Sequence, residues 1–156
     1  MSVITLRPVA PEDLPIFFEH QADPDAARLA AFPSRDRDAF FTHWTHNVLG
    51  NPANASRTIL ADHAVAGNIV SWTDPTTQER FVGYWIGRAF WGRGIATAAL
   101  SQFLGYERTR PLLACVAQHN LPSIRVLEKS GFIRTGQNSS TLPDGSPDEE
   151  LVYTFA

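Results

Sequence analysis

The chain has 156 residues, 44% of them hydrophobic and 19% charged, with a formal net charge of −3 and one cysteine. That length supports one domain with its own core, the balance excludes a disordered chain, and a lone cysteine excludes an intramolecular disulfide. No basic field points to nucleic acid or to a membrane surface, no leader is visible in Met1-Ser2-Val3-Ile4-Thr5, and no long apolar run occurs, so the expectation is a soluble, cytoplasmic protein.

Val3 to Arg7 alternates as a first strand, closed by Pro8. Pro11 to Gln21 reads as a helix with Leu14, Phe17 and Phe18 on one side. A second helical region breaks around Phe32-Pro33-Ser34 and resumes near Arg37, where Phe40, Phe41, Trp44 and Val48 keep helical spacing. Gly50 to Asn54 is a break. Arg57 to Asp62 and Val65 to Thr73 read as strands joined at Asp62-His63-Ala64. Asp74-Pro75-Thr76-Thr77 marks a turn, and Glu79 to Gly87 is the next strand. Gly94 to Glu107 reads as a helix with Ile95, Ala99 and Phe103 in line. Pro111 to Ala117 is a short buried strand, a helix starts at Asn120, and Phe132 to Gln137 is a strand. Asn138 to Pro147 reads as a polar loop, and Glu150 to Phe155 as the closing strand. Strand and helix alternate only in the second half. The expected fold is therefore mixed α/β: one domain over residues 1–156, with six or seven strands in a mixed sheet.

The most informative stretch runs from Tyr84 to Thr97. An aromatic strand enters a short turn, Trp91-Gly92-Arg93-Gly94, that opens directly into a helix of small residues. The glycines let backbone approach a ligand closely, and the helix start presents unpaired N–H groups and a positive dipole end. That combination favours a phosphate, with Arg93 and Arg88 adding charge. No Lys-Ser or Lys-Thr follows, which excludes a mononucleotide P-loop. A dinucleotide fingerprint lacks its third glycine, at Thr97, and lacks a ribose carboxylate near Cys115 to Gln118.

Trp91-Gly92-Arg93-Gly94-Ile95-Ala96 instead resembles Gln/Arg-x-x-Gly-x-Gly/Ala, the pyrophosphate loop of GNAT-type N-acetyltransferases. Trp91 replaces the first residue, a variant similar to the RimJ/RimL branch. A second segment, Asn120-Leu121-Pro122-Ser123-Ile124-Arg125-Val126-Leu127-Glu128-Lys129-Ser130-Gly131-Phe132, resembles the family's Asn-x-x-Ser/Ala-x-x-x-x-Glu-Lys-x-Gly-Phe signature. Its residues also make a capped helix: Asn120 at the N-cap, Pro122 in the first turn, Gly131 at the end.

The resemblance implies a twisted mixed sheet with helices on both faces, and acetyl transfer from acetyl-CoA to a primary amine, with no metal. The acceptor is a protein N-terminus or a small amine. Coenzyme contacts map onto Ile86, Gly87, Arg88, Trp91, Gly92, Arg93, Gly94, Ile95, Ala96, Thr97, Asn120, Ser123, Arg125 and Lys129, with a strand amide near Ile86 polarising the carbonyl. A tyrosine that relatives use as leaving-group acid is replaced by Leu127, leaving Ser123 for that role. The glutamate that relatives use as base is replaced by Phe81, leaving Glu79, Glu19 or His20, or a water relay, as alternatives. The rival readings are a catalytically silent acyl-CoA-binding module and, more distantly, a dinucleotide oxidoreductase.

Other features read more plainly. His43 and His46 lie on a polar helix face without a third metal ligand. Cys115 reads as a small core residue. His119 is a loop residue or lines the coenzyme channel, and Trp44, Trp72 and Trp85 are core or acceptor-pocket aromatics. Acceptor selection is expected in the first-helix region and the Asn138–Pro147 loop, and the negative charge faintly favours a cationic acceptor. A homodimer is possible, and no nucleic-acid or membrane partner is expected.

Overall fold

The computed structural model describes residues 2–156; Met1, part of the leader reading, lies outside them. The chain begins with β1 (Ile4–Arg7) and a 3-10 turn at Pro11–Asp13. Helices α1 (Leu14–Ala22), α2 (Pro24–Ala30) and α3 (Arg37–Thr42) follow, and α3 widens into a π-helical stretch at His43–Leu49. Next come β2 (Ala55–Ala61), β3 (Ala64–Thr73), β4 (Arg80–Ile86), a 3-10 turn at Arg88–Phe90 and α4 (Ile95–Phe103). The order closes with β5 (Leu112–Ala117), α5 (Leu121–Lys129), β6 (Ile133–Thr141) and β7 (Pro147–Phe155).

The seven strands form one sheet in the order β1-β2-β3-β4-β5-β7-β6. Every pair is antiparallel except β4–β5, which the α4 crossover makes parallel. Helices cover both faces. On one, α4 and α5 bury Ile95, Ala99, Leu100, Phe103 and Leu127 against Ile59, Ile69, Leu112 and Val116. On the other, α1 and α3 bury Leu14, Phe17, Phe40, Trp44 and Val48 against Val65 and Val70. The spacing of Phe40, Trp44 and Val48 is what the sequence suggested, and it keeps one face toward the sheet even where the helix widens.

Buried polar groups fix the helix entries. Asp13 is 3% exposed and accepts from Arg7 Nη1 and Nη2 at 2.7 and 2.8 Å, from the Ala10 amide at 2.8 Å and from Thr58 Oγ1 at 2.7 Å. This one carboxylate therefore ties β1, the start of α1 and β2 together. Asp23 caps α2 by accepting from the Asp25 and Ala26 amides, and Asp36 caps α3 by accepting from Ala39.

Three sequence expectations need correction. The segment Asn138–Pro147 is not a loop: β6 runs to Thr141 and β7 starts at Pro147, leaving a turn of five residues. Both sides of this edge strand are largely exposed, so no apolar alternation marks it. Its polar side chains pair across the hairpin instead, as Ser139 does with Glu149 at 2.6 Å. Helix α4 stops at Phe103, not at Glu107. Glu107 is buried as the partner of Arg80, with 2.7 Å between Oε1 and Nε. Cys115 is exposed on β5 and does not belong to the core.

The feature that positions the site is the β4–β5 junction. These strands pair only at Arg80–Leu112 and Phe81–Leu113 and then part. Just past the end of β4 the Gly87 amide donates to Ala66 of β3 at 2.8 Å. By alternation, Tyr84 and Ile86 direct their backbone N–H and C=O toward the gap.

Candidate active site

The gap between β4 and β5 is flanked by two clefts. The first, about 410 Å³, is lined by Tyr84 to Ile86, Phe90 to Gly92, Gly94 to Thr97, residues of α2, and Asn120, Pro122, Ser123, Arg125, Val126 and Lys129. Its floor is the start of α4. Gly92 and Gly94 have φ of +74° and +73°, a left-handed conformation that explains their residue type, and beyond the local backbone no atom of the described residues lies within 4 Å of where either Cβ would sit. Gly94 is the N-cap and has no side chain to offer, and the first intrahelical bond runs from Ala98 to Gly94. The first-turn amides are thus left for an anion. Arg125 and Lys129, one turn apart on α5, supply the cationic rim.

Trp91 has a definite place in this loop. Its indole Nε1 donates to the Ile86 carbonyl at 2.9 Å, pinning the turn back onto the end of β4. The two loop arginines do not face the cleft. Arg88 pairs with Asp25 at 2.6 Å and with Asp23 at 3.5 Å. Arg93 donates to Ser2 Oγ at 2.6 Å and lies over the Phe90 ring, 5.5 Å from its centroid. Gly87 is fixed from the other side, where the His20 ring leaves no room: Nε2 is 2.5 Å from the position a Cβ would take. Burial pushes His20 below the usual histidine range and its Nδ1 has no partner among the described residues, but the ring lines neither cleft.

Asn120 caps α5, its Oδ1 accepting from the Ser123 amide at 3.3 Å, and both residues line the first cleft. The Ser123 hydroxyl is 2.6 Å from the Tyr84 hydroxyl. Burial pushes the Tyr84 phenol up to about 12, against an opposing pull from Ser123, so it stays protonated at neutral pH. Sequence reasoning looked for a tyrosine at position 127 and missed Tyr84, which reaches the same serine from β4. Leu127 itself is 1% exposed in the core. Glu128 of the same signature accepts from the Tyr153 hydroxyl at 3.1 Å, which ties α5 to β7.

The second cleft, about 490 Å³, lies on the α1–α3 side and shares Tyr84 and Trp85 with the first. Phe17, Phe32, Phe40, Trp44, Trp72 and Trp85 line it beside the amides Asn47, Asn51, Asn54 and Asn68. The three tryptophans noted in the sequence all come together here. Phe81, where relatives place a glutamate, stacks on Trp72 with centroids 6.0 Å apart. Glu79 is exposed, precedes β4 and lines neither cleft. No residue of Asn138–Pro147 lines either cleft, whereas Phe17 and Gln21 of the first-helix region line the second. His43 lines the second cleft, held below its usual range by burial and by Arg35. His119 is 2.9 Å from the Arg28 carbonyl and links the β5–α5 loop to α2. The Cys115 thiol is pushed up to about 12, first by partial burial of the sulfur and then by Glu150 and Glu79, and is no nucleophile at neutral pH.

Comparison with known proteins bears on this geometry. Residues 4–133 match the acetyltransferase (GNAT) domain family. The chain belongs to the GNAT acetyltransferases. Among curated relatives it is similar to YdaF of Bacillus subtilis (strain 168), provisionally named a ribosomal N-acetyltransferase, at 30% identity over 100 residues. That match covers 61% of this chain and 55% of YdaF, so the chain spans about half the length of this curated relative. Among solved structures, an acetyltransferase-like protein from T. thermophilus is 28% identical with a TM-score of 0.70, covering 97% of this chain and 84% of that one. RimL, a ribosomal L7/L12 alpha-N-protein acetyltransferase solved with coenzyme A, has a TM-score of 0.80 at 18% identity, covering 97% and 93%; it shares the fold. In this GNAT chain the loop and the Asn120 signature occupy one cleft.

Proposed function

We propose that this chain moves an acetyl group from acetyl-CoA directly to a primary amine while both are bound, with no acyl-enzyme. One observation supports this above the rest: the two clefts meet at Tyr84 and Trp85, beside the gap between β4 and β5. Acetyl-CoA supplies the acetyl thioester, and its diphosphate suits the unpaired amides of the Gly92–Thr97 turn and the Arg125–Lys129 rim. RimL, with the same fold, was solved with coenzyme A.

The protein's contribution follows from its own groups. The Ile86 amide, directed into the gap, donates to a carbonyl placed there and polarises it. The amine nitrogen forms the new C–N bond as C–S breaks with its electron pair on sulfur. From the neutral amine one proton leaves nitrogen while sulfur departs as thiolate, so the balance is amide, thiolate and one proton. The thiolate becomes thiol by taking a proton from solvent. Ser123 donates a hydrogen bond toward the departing sulfur and Tyr84 donates to Ser123. A phenol near 12 does not surrender its proton to a thiolate whose reference pKa is about 8.5, so the pair stabilises by hydrogen bonding and not by acid transfer. No carboxylate of the described residues lines either cleft, which leaves proton release from the amine to solvent.

Thiol release from acetyl-CoA across a panel of amines, run beside thermal shift, tests the reading. Amine-dependent release together with stabilisation by acetyl-CoA is expected. Stabilisation with no release for any amine would instead identify a silent acyl-CoA-binding module, and stabilisation by NAD in place of CoA would overturn both.

A further inference from the structure

Among the described residues, the second cleft is lined by one cation and no anion. Arg35 lines it and has no carboxylate partner among the described residues, its guanidinium lying 5.1 Å from the Phe32 ring centroid. The main chain of Arg35 is held in place, and its guanidinium rests on the Phe32 ring. Gln21, 6% exposed, accepts from the Arg35 amide at 2.9 Å and donates to the Arg35 carbonyl at 3.1 Å. Burial pulls the guanidinium below its ordinary value, and an arginine stays charged regardless. Phe32 meets Trp85 edge-on with centroids 6.1 Å apart, so the cation stands two ring contacts from the wall shared with the coenzyme cleft. The Trp85 indole N–H is buried without an acceptor among the described residues, which puts a second unspent donor at that wall. The buried Trp85 donor is costly unless something completes it, and the Arg35 charge has no carboxylate to pair with among the described residues.

Building on the acetyl-transfer reading, we infer that the acceptor is a small primary amine that also carries a carboxylate and an aromatic body, an aromatic amino acid in chemical class. The carboxylate pairs with Arg35, the ring packs among Phe17, Phe40, Trp44 and Trp72, and the amine reaches the shared wall at Tyr84 and Trp85. A second ammonium has no counter-charge in this cleft, so diamines and lysine-like acceptors are rejected. The chain's net charge of −3 is therefore not repeated where the acceptor binds.

The test compares acetyl-CoA-dependent thiol release for L-tryptophan and L-phenylalanine with tryptamine, phenethylamine, L-tryptophanamide, lysine, spermidine and short peptides. The carboxylated aromatic amines should lead by at least about tenfold in kcat/KM, the scale of one charge-assisted contact. In Arg35→Met the ratio of L-tryptophan to tryptamine should collapse toward one, with partial recovery in Arg35→Lys and an unchanged thermal shift from acetyl-CoA. Equal use of tryptamine and L-tryptophan, better use of diamines or peptides, or an unaltered ratio in Arg35→Met overturns the acceptor class while leaving acetyl transfer standing. Coenzyme stabilisation with no release for any amine overturns acetyl transfer and the acceptor class together. Should Arg35→Met fail to fold, the comparison among acceptors in the wild-type protein decides alone.

Discussion

The hydroxyl of Tyr84 on β4 lies 2.6 Å from that of Ser123 on α5, across the space where the sheet parts. The two residues are 39 positions apart in sequence, and they meet because α5 packs over the same face of β4 that Tyr84 occupies. Ser123→Ala and Tyr84→Phe should each lower kcat by roughly ten- to a hundredfold, the range for losing a hydrogen bond to a charged group. Apparent affinity for acetyl-CoA should hold. The double variant should lose little more than the worse single one, since the pair acts as a unit. Additive losses would separate the two roles, and unchanged turnover in Ser123→Ala would remove the serine from the mechanism.

Gly94 offers a test of the phosphate turn. Its φ of +73° makes any side chain strained, so Gly94→Ala should cost about 1–2 kcal/mol in the ligand-free protein. Gly94→Val should also block the approach to the α4 amides and abolish the rise in Tm that acetyl-CoA produces. Urea unfolding with and without acetyl-CoA separates the two effects. A normal rise in Gly94→Val would displace the diphosphate from this turn.

Trp91 should matter through its N–H. Trp91→Phe keeps an aromatic body but frees the Ile86 carbonyl, now bonded at 2.9 Å. A net loss of about 1 kcal/mol is expected, seen as a roughly fivefold rise in KM for acetyl-CoA with kcat little changed. A fall in kcat alone would assign the indole a different task.

Acid stability should trace to Asp13. Its carboxyl is held at about 2, first by the Arg7 hydrogen bonds and then by the Ala10 amide and Thr58, against burial that opposes them. A folded value below the ordinary 3.8 means the contribution is complete above about pH 4 and is lost as pH falls toward 2. The shift corresponds to about 2 kcal/mol. Urea midpoints of the wild type and Asp13→Asn should differ by that order at pH 7 and converge near pH 2. A gap independent of pH would refute the assignment.

Arg80 and Glu107 should behave as a buried pair. Their side chains are 12% and 7% exposed, and Arg80 also donates to Ala53, Thr73 and Ser71. Arg80→Met alone strands the carboxylate and should cost roughly 3–5 kcal/mol, while adding Glu107→Leu should recover part of that loss. Differential scanning calorimetry of the wild type and the two variants checks the order.

Much of this was legible in the chain because the informative parts are local. Gly92 and Gly94 announce their φ, Asn120 and Gly131 bracket α5, and the spacing of Phe40, Trp44 and Val48 gives a helix face. What stayed hidden depends on partners far away in sequence. Tyr84 acquires its meaning only from Ser123, Arg35 only from the clamp of Gln21, and Arg88 only from Asp25, which draws it away from the phosphate turn. The β6–β7 hairpin was misread because a polar edge strand stabilised by cross-strand pairs such as Ser139–Glu149 lacks the alternation that marks a half-buried one. Cys115 was misplaced for a related reason. Its apolar neighbours on β5 suggested burial, but the apolar cluster of α1 and α3 rests on Val65 and Val70 of β3 and does not extend to that face of β5.

The brevity of the β4–β5 junction has a mechanical side. Two residue pairs, Arg80–Leu112 and Phe81–Leu113, are the whole ladder between a four-stranded leaf and a three-stranded one. Beyond them the leaves are joined by side-chain packing under α4 and not by main-chain bonds. Whatever lies along the parted edges and satisfies both sets of amides spans the two leaves as an added rung. Occupancy and stiffness of the central sheet then rise together, so the loaded protein is also the more rigid one.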